Sequence, residues 1–234
     1  MISTIPKWLG DLFEGSLRPN VKVLTTSYIS AHIKVIRFQG DLSKLKFEIG
    51  YANVIRVSAT EYRNYTVANH DIIAGILDIV FHIHGNGVGC QYIDALKKGD
   101  EIYISSPRGH KVYDPRVEKH VIFGDETSLG LACSFLAVLK KHQYQFYFEL
   151  DKENINVPQL LGLENATVFP KNGLFLNEKW INDLPIFKAG EWKDANFILT
   201  GNVNAVRTFR KVVKTATKGK VFSQGYWLEG KKGL

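Results

Sequence analysis

The stretch TEYRNYTVANH at residues 60–70 places Arg63 and Tyr65 at alternate positions of a predicted strand, with Thr66 directly after them. Alternation along a strand puts Arg63 and Tyr65 on the same face. A tyrosine ring offers a flat apolar surface that suits an isoalloxazine, and a guanidinium forks onto a phosphate. The Thr66 hydroxyl can hydrogen-bond to the polar edge of a flavin ring. A strand-edge arginine beside a core tyrosine would give the same pattern, so this stretch alone leaves both interpretations open.

A glycine-rich turn follows in HIHGNGVGCQYIDALKKGD, residues 82–100, where Gly85, Gly87 and Gly89 precede a predicted helix. We predict that this helix begins near Cys90, carries the lysine pair in its last turn and stops at Gly99. Glycines let the backbone approach a ligand closely, and a helix start presents free N–H groups with a partial positive charge. The arrangement predicts a pyrophosphate cradle. It is neither the Walker pattern nor the dinucleotide fingerprint, because no Gly-Lys-Ser/Thr follows and no long parallel βαβ unit surrounds it.

His82 and His84 stand two positions apart at the start of the same stretch. Two histidines at this spacing can ligate a metal, but the sequence offers no third ligand nearby. We therefore predict no metal site. A contact to phosphate or flavin and simple strand packing remain as the two interpretations of this pair.

The first half of the chain predicts a small antiparallel Greek-key β-barrel. The segments NVKVLTTSYIS, HIKVIRFQG, NVIRVSATEY, ILDIVFHIHG and DEIYISSPRG carry β-branched and aromatic residues with partial alternation. The second half alternates strands (KHVIFGD, YQFYFELD, ATVFP, ANFILTG, KVFSQGYW) with two clear helices, which indicates a parallel sheet covered by helices. We predict a barrel domain over residues 1–115 and an α/β domain over residues 116–234.

The stretch VIFGDETSLGLACSF, residues 121–135, predicts a strand, a turn and a helix capped by Thr127 or Ser128. In an open α/β sheet, a nucleotide or substrate binds outside the carboxyl end of such a strand. Asp125 and Glu126 would repel a phosphate there, so they suit a ribose or a nicotinamide amide, or they are simply acids at a helix start. Glu149, at the end of the next strand, is predicted to be a surface acid, with a ribose contact as the alternative.

The net charge of +7 is concentrated at the C-terminal end. Eight basic residues and one acid follow Val206, whereas the rest of the chain carries 22 of each sign. An anionic partner is therefore expected at this end, and a solvated helix face is the alternative. A small anionic substrate is favoured over nucleic acid, because Tyr226 and Trp227 are the only aromatic pair near the basic residues. The substrate-binding candidates are Lys211, Lys214, Lys218, Lys220, Tyr226 and Trp227.

Cysteine usage and hydropathy predict a cytosolic protein. Cys90 and Cys133 lie far apart and lack metal-ligand spacing, which favours a chain without disulfides. No apolar run reaches the roughly 18 residues of a membrane span. The start MISTIPKWLGDLFEGSL lacks the pattern of a signal peptide and is expected to form a short amphipathic helix. We expect a monomer.

Together these stretches resemble the siderophore-interacting flavoproteins of the ferredoxin-reductase-like group over nearly the whole chain. RNYT matches the Arg-x-Tyr-Thr flavin motif of that family, and GDETSLG matches the Gly-Asp-Glu-Thr opening of its second domain. FHIHGNGVGCQYIDALKKGDEIYISSPRG resembles its His-Gly…Gly-Asp…Gly-Pro-Arg-Gly run, although Val88-Gly89-Cys90 replaces Pro-Ala-Ser. FILTGNVNAVRTFRKVV and GYWLEGKKG resemble its closing helix and tail, with Asn202 in place of an acid.

The resemblance implies an FAD-binding barrel, followed by a domain for NADH or NADPH, that together reduce Fe(III)-siderophores and release Fe(II). Some members take electrons from reduced ferredoxin instead. The chemistry takes place at the flavin, so no catalytic side chain is implied. The implied cofactor-binding residues are Arg63, Tyr65, Thr66, His82, His84, Gly85, Gly87, Gly89 and Cys90 for FAD, and Asp125, Glu126 and Thr127 for the nicotinamide. The alternative function is a ferredoxin, flavodoxin or free-flavin reductase of the same architecture.

Overall fold

The computed structural model describes residues 20–188 and 190–231. The chain divides into two compact units between Lys111 and Val112, a few residues before the boundary predicted from the sequence. The helix expected within residues 1–17 lies outside the described residues.

The first unit is a six-stranded antiparallel sheet with the strand order β3-β4-β5-β2-β1-β6. Side chains alternate along its strands as the sequence predicts: Val21 and Val23 are buried, whereas Lys22 between them is exposed. The strands are β1 Val21–Tyr28, β2 Ile33–Gly40, β3 Ala52–Arg56, β4 Tyr62–Asp71, β5 Ile76–His82 and β6 Glu101–Ile102.

The segment after β6 nearly closes this sheet into a barrel. β6 pairs with β1, and the same segment then bridges to β3 through Ile104 and Arg108. Asn20 stabilises the closure, because its side chain donates to the Ile104 carbonyl at 2.8 Å and accepts from the Ile104 N–H at 2.9 Å. The predicted Greek-key barrel is therefore confirmed.

Helix α1, Val88–Ala95, lies between β5 and β6 in the chain. It packs on the barrel core through Ile93, which is 1% exposed. The helix begins two residues before the predicted start, and the prediction that it extends to Gly99 was wrong. The chain leaves the helix at Leu96, and the Asp100 carboxylate accepts from the Lys97 N–H at 2.9 Å, which folds residues 97–100 into a separate turn.

The second unit is a five-stranded parallel sheet with the strand order β11-β10-β7-β8-β9, which confirms the predicted α/β architecture. Parallel pairing places the carboxyl ends of all five strands at one edge. The strands are β7 Lys119–Gly124, β8 Gln143–Leu150, β9 Ala166–Pro170, β10 Asn196–Asn202 and β11 Val221–Trp227. The helices are α2 Leu129–Leu139, α3 Val157–Leu160, α4 Glu178–Asn182, α5 Pro185–Lys188 and α6 Val203–Ala216.

The two long helices of this unit bury different proportions of their surface. Helix α2 is apolar on most sides, and Leu129, Ala132 and Phe135 in it are fully buried. Helix α6 is amphipathic, with Phe209 and Val213 in the core and its basic residues exposed. Among the residues that the structure describes, no helix has the length and apolar character needed to cross a membrane.

His120 is fully buried at the amino end of β7. Its Nε2 lies 3.0 Å from the Val117 carbonyl oxygen, and its ring packs edge-on against His142 with the centroids 5.1 Å apart. Tyr113 completes the group, since its hydroxyl lies 2.9 Å from His142 Nε2. Burial lowers the pKa of His120 below 6.5, and the neighbouring His142 lowers it further.

This burial predicts a loss of stability in mild acid. Below about pH 6.5 the unfolded chain binds a proton at residue 120 that the folded protein does not, so folding becomes less favourable. Between about pH 7.5 and pH 5.5, the wild-type protein should lose about 1 kcal/mol more unfolding free energy than His120→Gln. Urea titrations at both values measure this. Equal pH dependence in the two proteins would contradict the assignment.

Candidate functional site

Strand β4 and helix α1 contact each other through three of the predicted flavin residues. A Cβ atom built on Gly89 would lie 3.2 Å from both Arg63 Cγ and the Tyr65 hydroxyl oxygen, and 3.7 Å from Arg63 Nε. Arg63 and Tyr65 therefore lie on the same face of β4, as alternation predicts. The absence of a side chain at residue 89 allows the first turn of α1 to approach both of them closely.

Arg63 makes two contacts with its own strand. Its Nη2 donates to Glu61 Oε1 at 2.9 Å, and its Nη1 donates to the Tyr62 carbonyl at 2.9 Å. The Arg63 and Glu61 side chains are 26% and 22% exposed. A pair with this much solvent access is weak, so an anionic ligand of higher charge could displace Glu61 from the guanidinium.

Tyr65 is held between the barrel core and helix α1. Its ring packs edge-on against Phe81 with the centroids 4.8 Å apart, and the residue borders the buried core of the barrel. Burial raises the pKa of Tyr65, so its hydroxyl stays protonated at neutral pH and can donate a hydrogen bond. Thr66 follows it half-buried, opposite Ala52 of β3. Tyr65 thus packs against the barrel core, as expected if residue 65 is a core tyrosine, while its hydroxyl end faces α1.

The glycine-rich turn leaves room for a ligand. Gly85 has a φ of +61°, a conformation that glycine adopts readily. Gly87 has φ −65° and ψ 145°, which any residue adopts, yet no atom of the described chain lies within 4 Å of a Cβ built on it. Neither strain nor packing therefore requires glycine at residue 87. The open space fits a diphosphate that approaches the start of α1 closely.

Cys90 binds the turn together. Its thiol lies 3.2 Å from the His84 carbonyl oxygen and 3.8 Å from the His82 carbonyl oxygen, and its sulfur accepts from the His84 N–H at 3.4 Å. The rings of His82 and His84 lie 4.8 Å apart. The structure thus brings these three predicted residues together at the turn. A diphosphate contact to Cys90 stays a prediction.

In the second unit, Asp125 joins three elements at the carboxyl edge of the sheet. Its Oδ1 accepts from the Thr127 N–H at 2.9 Å and from the Thr127 hydroxyl, and its Oδ2 accepts from the Asn202 N–H at 2.8 Å and from Trp227 Nε1 at 2.7 Å. Ser128 occupies the N-cap position of α2, as one of the two predicted candidates, but its side chain makes no capping hydrogen bond, and Asp125 instead caps the 3-10 turn that precedes the helix. Burial raises the pKa of Asp125, although its hydrogen bonds oppose this effect.

Two glycines permit this arrangement. A Cβ built on Gly124 would lie 2.2 Å from Ser128 Cβ, and one built on Gly201 would lie 2.5 Å from Asp125 Oδ2. Gly201 also has a φ of +108°. The glycines of the GDETS and TGN stretches are therefore explained by close packing within the protein.

Glu126 is buried and forms a salt bridge with Lys171, which follows β9. Its Oε2 lies 2.5 Å from Lys171 Nζ, and its Oε1 accepts from the Asp151 N–H at 2.7 Å and from Asn154 Nδ2 at 3.0 Å. Burial alone would raise the pKa of Glu126, but the lysine charge and these donors outweigh burial and hold it below its ordinary value. Sequence reasoning missed Lys171, whose only signal is its position at the carboxyl end of a predicted parallel strand.

Glu149 is 9% exposed, so the prediction of a surface acid was wrong. Burial raises its pKa to about 7, and the nearby negative charge of Asp125 contributes. The carboxyl edge therefore groups four acidic residues, including Asp151, around Lys171. This excess of negative charge disfavours a phosphate group at that position.

The basic residues between Arg207 and Lys231 are exposed, and two of these described residues are in ion pairs. Lys211 Nζ lies 2.7 Å from Glu178 Oε1, and Lys220 Nζ lies 3.8 Å from Asp114 Oδ2. Within residues 20–188 and 190–231, no acid pairs with Lys214 or Lys218. Tyr226 is half-buried on β11, and Trp227 lies under Lys171 as well as against Asp125. Asn202 caps α6, since its side chain accepts from two N–H groups of the first turn.

The chain resembles known proteins in part of its sequence and in its fold. Residues 20–113 match the family model of the oxidoreductase FAD-binding domain. In fold, the chain resembles a siderophore-interacting protein from Acinetobacter baumannii, with 19% identity, a TM-score of 0.72 and 92% of each chain covered. It also resembles a siderophore utilization protein from T. fusca, with 20% identity, a TM-score of 0.73 and 93% of this chain and 97% of the other covered. No curated protein matches the sequence.

A third structure of similar fold is phthalate dioxygenase reductase, described as a modular structure for electron transfer from pyridine nucleotides to [2Fe-2S]. It shares 15% identity and a TM-score of 0.73 over 93% of this chain and 70% of the other. The resemblance to siderophore-interacting proteins and to the ferredoxin-reductase-like group is thus confirmed in fold. The matched domain and this fold support a flavin-dependent oxidoreductase.

Alanine substitution should lower the stability of the protein at Gly124 of the second unit but not at Gly87 of the first. Gly124→Ala places a methyl group against Ser128 and should lower the free energy of unfolding by about 2–3 kcal/mol. Gly87→Ala meets open space and should change stability by less than about 0.5 kcal/mol, while it weakens FAD binding. Chemical denaturation and flavin titration measure both effects. Unchanged FAD affinity in Gly87→Ala would contradict the cradle.

The buried salt bridge should be sensitive to loss of its cation. Lys171→Met leaves the Glu126 charge buried without its partner and should destabilise the protein by roughly 3–5 kcal/mol. Glu126→Gln in the same chain should restore much of the loss, because the fully buried charge that Lys171 paired with is then removed. Lys188→Met, which breaks an exposed pair with Asp183, is the control and should have little effect. Equal destabilisation in the single and double variants would show that packing dominates.

Proposed function

We propose that this protein is a flavin-dependent reductase with FAD bound where β4 meets α1. One observation carries the proposal: Gly89 brings Arg63 and Tyr65 against the start of a helix whose glycine-rich turn leaves open space. A planar group suits the flavin ring, and a guanidinium and free N–H groups suit the diphosphate of FAD. The match of residues 20–113 to the oxidoreductase FAD-binding domain supports it.

The residues of the chain bind and orient the cofactor and need not exchange protons with it. Tyr65 would support the isoalloxazine, Thr66 would bond to its polar edge, and Arg63 would hold a phosphate after leaving Glu61. The N–H groups at the start of α1 would hold the diphosphate. Bound FAD would supply the redox chemistry, by accepting a hydride and passing on single electrons.

We propose Fe(III)-siderophores as the substrates, with iron released as Fe(II) in the cytosol. The names of two structural neighbours support this choice, since they describe a siderophore-interacting protein and a siderophore utilization protein. The exposed lysines of α6 and the following loop suit an anionic chelate. They would act mainly on encounter, through a field screened over about 8 Å at physiological salt.

The carboxyl edge of the second unit supports a proposal for the electron donor. Asp125 and Glu126 are already bonded within the protein, and the acids there disfavour a phosphate. If a nicotinamide reduces the flavin directly, we expect NADH to be preferred over NADPH, with a reduced ferredoxin as the other donor.

Reduction of a ferredoxin, a flavodoxin or free flavin is the second candidate function. Phthalate dioxygenase reductase, which shares the fold, favours it, and the basic end would then bind an acidic protein.

A single anaerobic titration tests the proposal. The purified protein is first examined for a flavin spectrum, then mixed with NADH or NADPH, then with a ferric chelate. Bleaching by NADH and recovery of the spectrum by the chelate are the expected results. Failure to bind FAD would refute the proposal. Bleaching by reduced ferredoxin alone would identify a protein donor, and recovery by ferredoxin but not by chelates would favour the second function.

Variants of β4 test the cofactor assignment. Tyr65→Ala and Arg63→Ala should each give folded protein with substoichiometric flavin, because one loses the stacking surface and the other a phosphate partner. Tyr65→Phe keeps the ring and should retain most of the flavin, and Tyr62→Ala, at the alternate position, is the control. Absorbance and circular dichroism measure flavin content and folding. Full occupancy in both alanine variants would refute the assignment, and an unfolded Tyr65→Ala would favour a purely structural tyrosine.

Charge reversal tests the docking of the substrate. Lys214→Glu with Lys218→Glu should slow reoxidation by an anionic ferric chelate and leave flavin content and hydride transfer nearly unchanged. These two lysines are chosen because Lys211 and Lys220 are in ion pairs. The loss should shrink as salt rises and should be small for a neutral chelate. Reversal of the exposed pair Lys140 and Lys141 is the control. An equal loss for neutral and anionic chelates would contradict electrostatic steering.

A further inference from the structure

Lys34 of β2 is a charged residue that is buried in the barrel unit. Its side chain is 5% exposed. Its Nζ donates to the carbonyl oxygens of Ile93, Asp94 and Leu96 at 3.1, 2.7 and 3.1 Å. Ile93 and Asp94 lie in the last turn of α1 and Leu96 directly follows it, so one ammonium group bonds three carbonyls at the C-terminal end of the helix.

This contact satisfies two physical requirements at once. The last four carbonyls of a helix have no partner within the helix, and a buried ammonium is unfavourable unless all its N–H groups are bonded. Burial lowers the pKa of Lys34, and Asp94, whose carboxylate lies 3.9 Å away, opposes this effect. The positive charge of Lys34 also offsets the negative end of the helix dipole. The positive end of the dipole lies at the glycine-rich turn and is then not weakened by that negative charge.

Strand pairing places Lys34 next to residues that lead to the proposed flavin site. On β2 it pairs with Tyr28 of β1 on one side and Phe81 of β5 on the other. Phe81 in turn packs against Tyr65. The same lysine therefore fixes α1 relative to the strands that carry the flavin residues. The eight residues of α1 span about 12 Å from this anchor to the glycine-rich turn.

We propose that Lys34 is a positioning residue for the diphosphate of FAD. By fixing the C-terminal end of α1 on β2, it sets where the N–H groups of the first turn lie relative to Arg63 and Tyr65. The inference rests on the proposed function, since it assumes that α1 receives the diphosphate. It implies that Lys34 matters for FAD and much less for riboflavin, which has the same ring and no phosphate.

The test compares dissociation constants for FAD and riboflavin in wild-type protein freed of flavin, Lys34→Met and Tyr28→Phe. Lys34→Met should weaken FAD binding about tenfold and riboflavin binding less than about twofold, because only the diphosphate site moves. Tyr28→Phe removes the hydrogen bond from the tyrosine to Asp94 and leaves the three carbonyl bonds of Lys34 in place. It should bind both flavins like the wild type.

Equal weakening for FAD and riboflavin in Lys34→Met, or no weakening, would overturn the inference. If Lys34→Met does not fold, Lys34→Gln decides, because its amide can donate to only some of the three carbonyls; it should weaken FAD binding less than about tenfold but still more than riboflavin binding. A ratio of the FAD to the riboflavin dissociation constant that equals the wild-type ratio would overturn the inference. Wild-type protein that binds no FAD would contradict the proposed function and this inference with it.

Discussion

The close approach of helix α1 to strand β4 at Gly89 is the contact on which the candidate site depends. Without a side chain at residue 89, the first turn of α1 lies within van der Waals distance of Arg63 and Tyr65. The glycine-rich turn is then brought beside a guanidinium and a phenol. Cys90 closes this turn, and the buried ammonium of Lys34 holds the opposite end of the helix. A short helix, marginal on its own, thus becomes a fixed element of the barrel.

The carboxyl edge of the second unit follows a different principle. Its acids bond chiefly to groups of the protein: Asp125 joins the ends of β7, β10 and β11, and Glu126 holds Lys171 and the segment after β8. Such a network is rigid as long as every member is bonded. It leaves a net negative edge, and this charge is the physical basis for expecting NADH or a protein donor rather than a nucleotide with an additional phosphate.

Much of the fold was predictable, because the strands of both units follow the alternation and apolar runs of the sequence. The placement of Arg63 and Tyr65 on one face of β4 was predictable because it depends on local spacing. The glycine-rich turn was predictable for the same reason. Lys34 and Lys171 were not, because each depends on tertiary contacts to residues distant in the chain, Lys34 to the carbonyls of α1 and Lys171 to Glu126 and Asp151. The end of α1 was mispredicted because the Asp100 side chain accepts from the Lys97 N–H and starts a separate turn. Ser128 was a correct candidate for the N-cap position of α2, but the capping hydrogen bond is made by Asp125 one turn earlier, with the Thr127 N–H.

The central claim is that the first turn of α1 and Arg63 together hold the diphosphate of FAD. A crystal structure of the FAD-loaded protein tests it most directly. We expect phosphate oxygens within hydrogen-bond distance of N–H groups at residues 88–90, and an Arg63 guanidinium that has moved from Glu61 to a phosphate. A diphosphate bound elsewhere, with the glycine-rich turn still open and Arg63 still paired with Glu61, would contradict it.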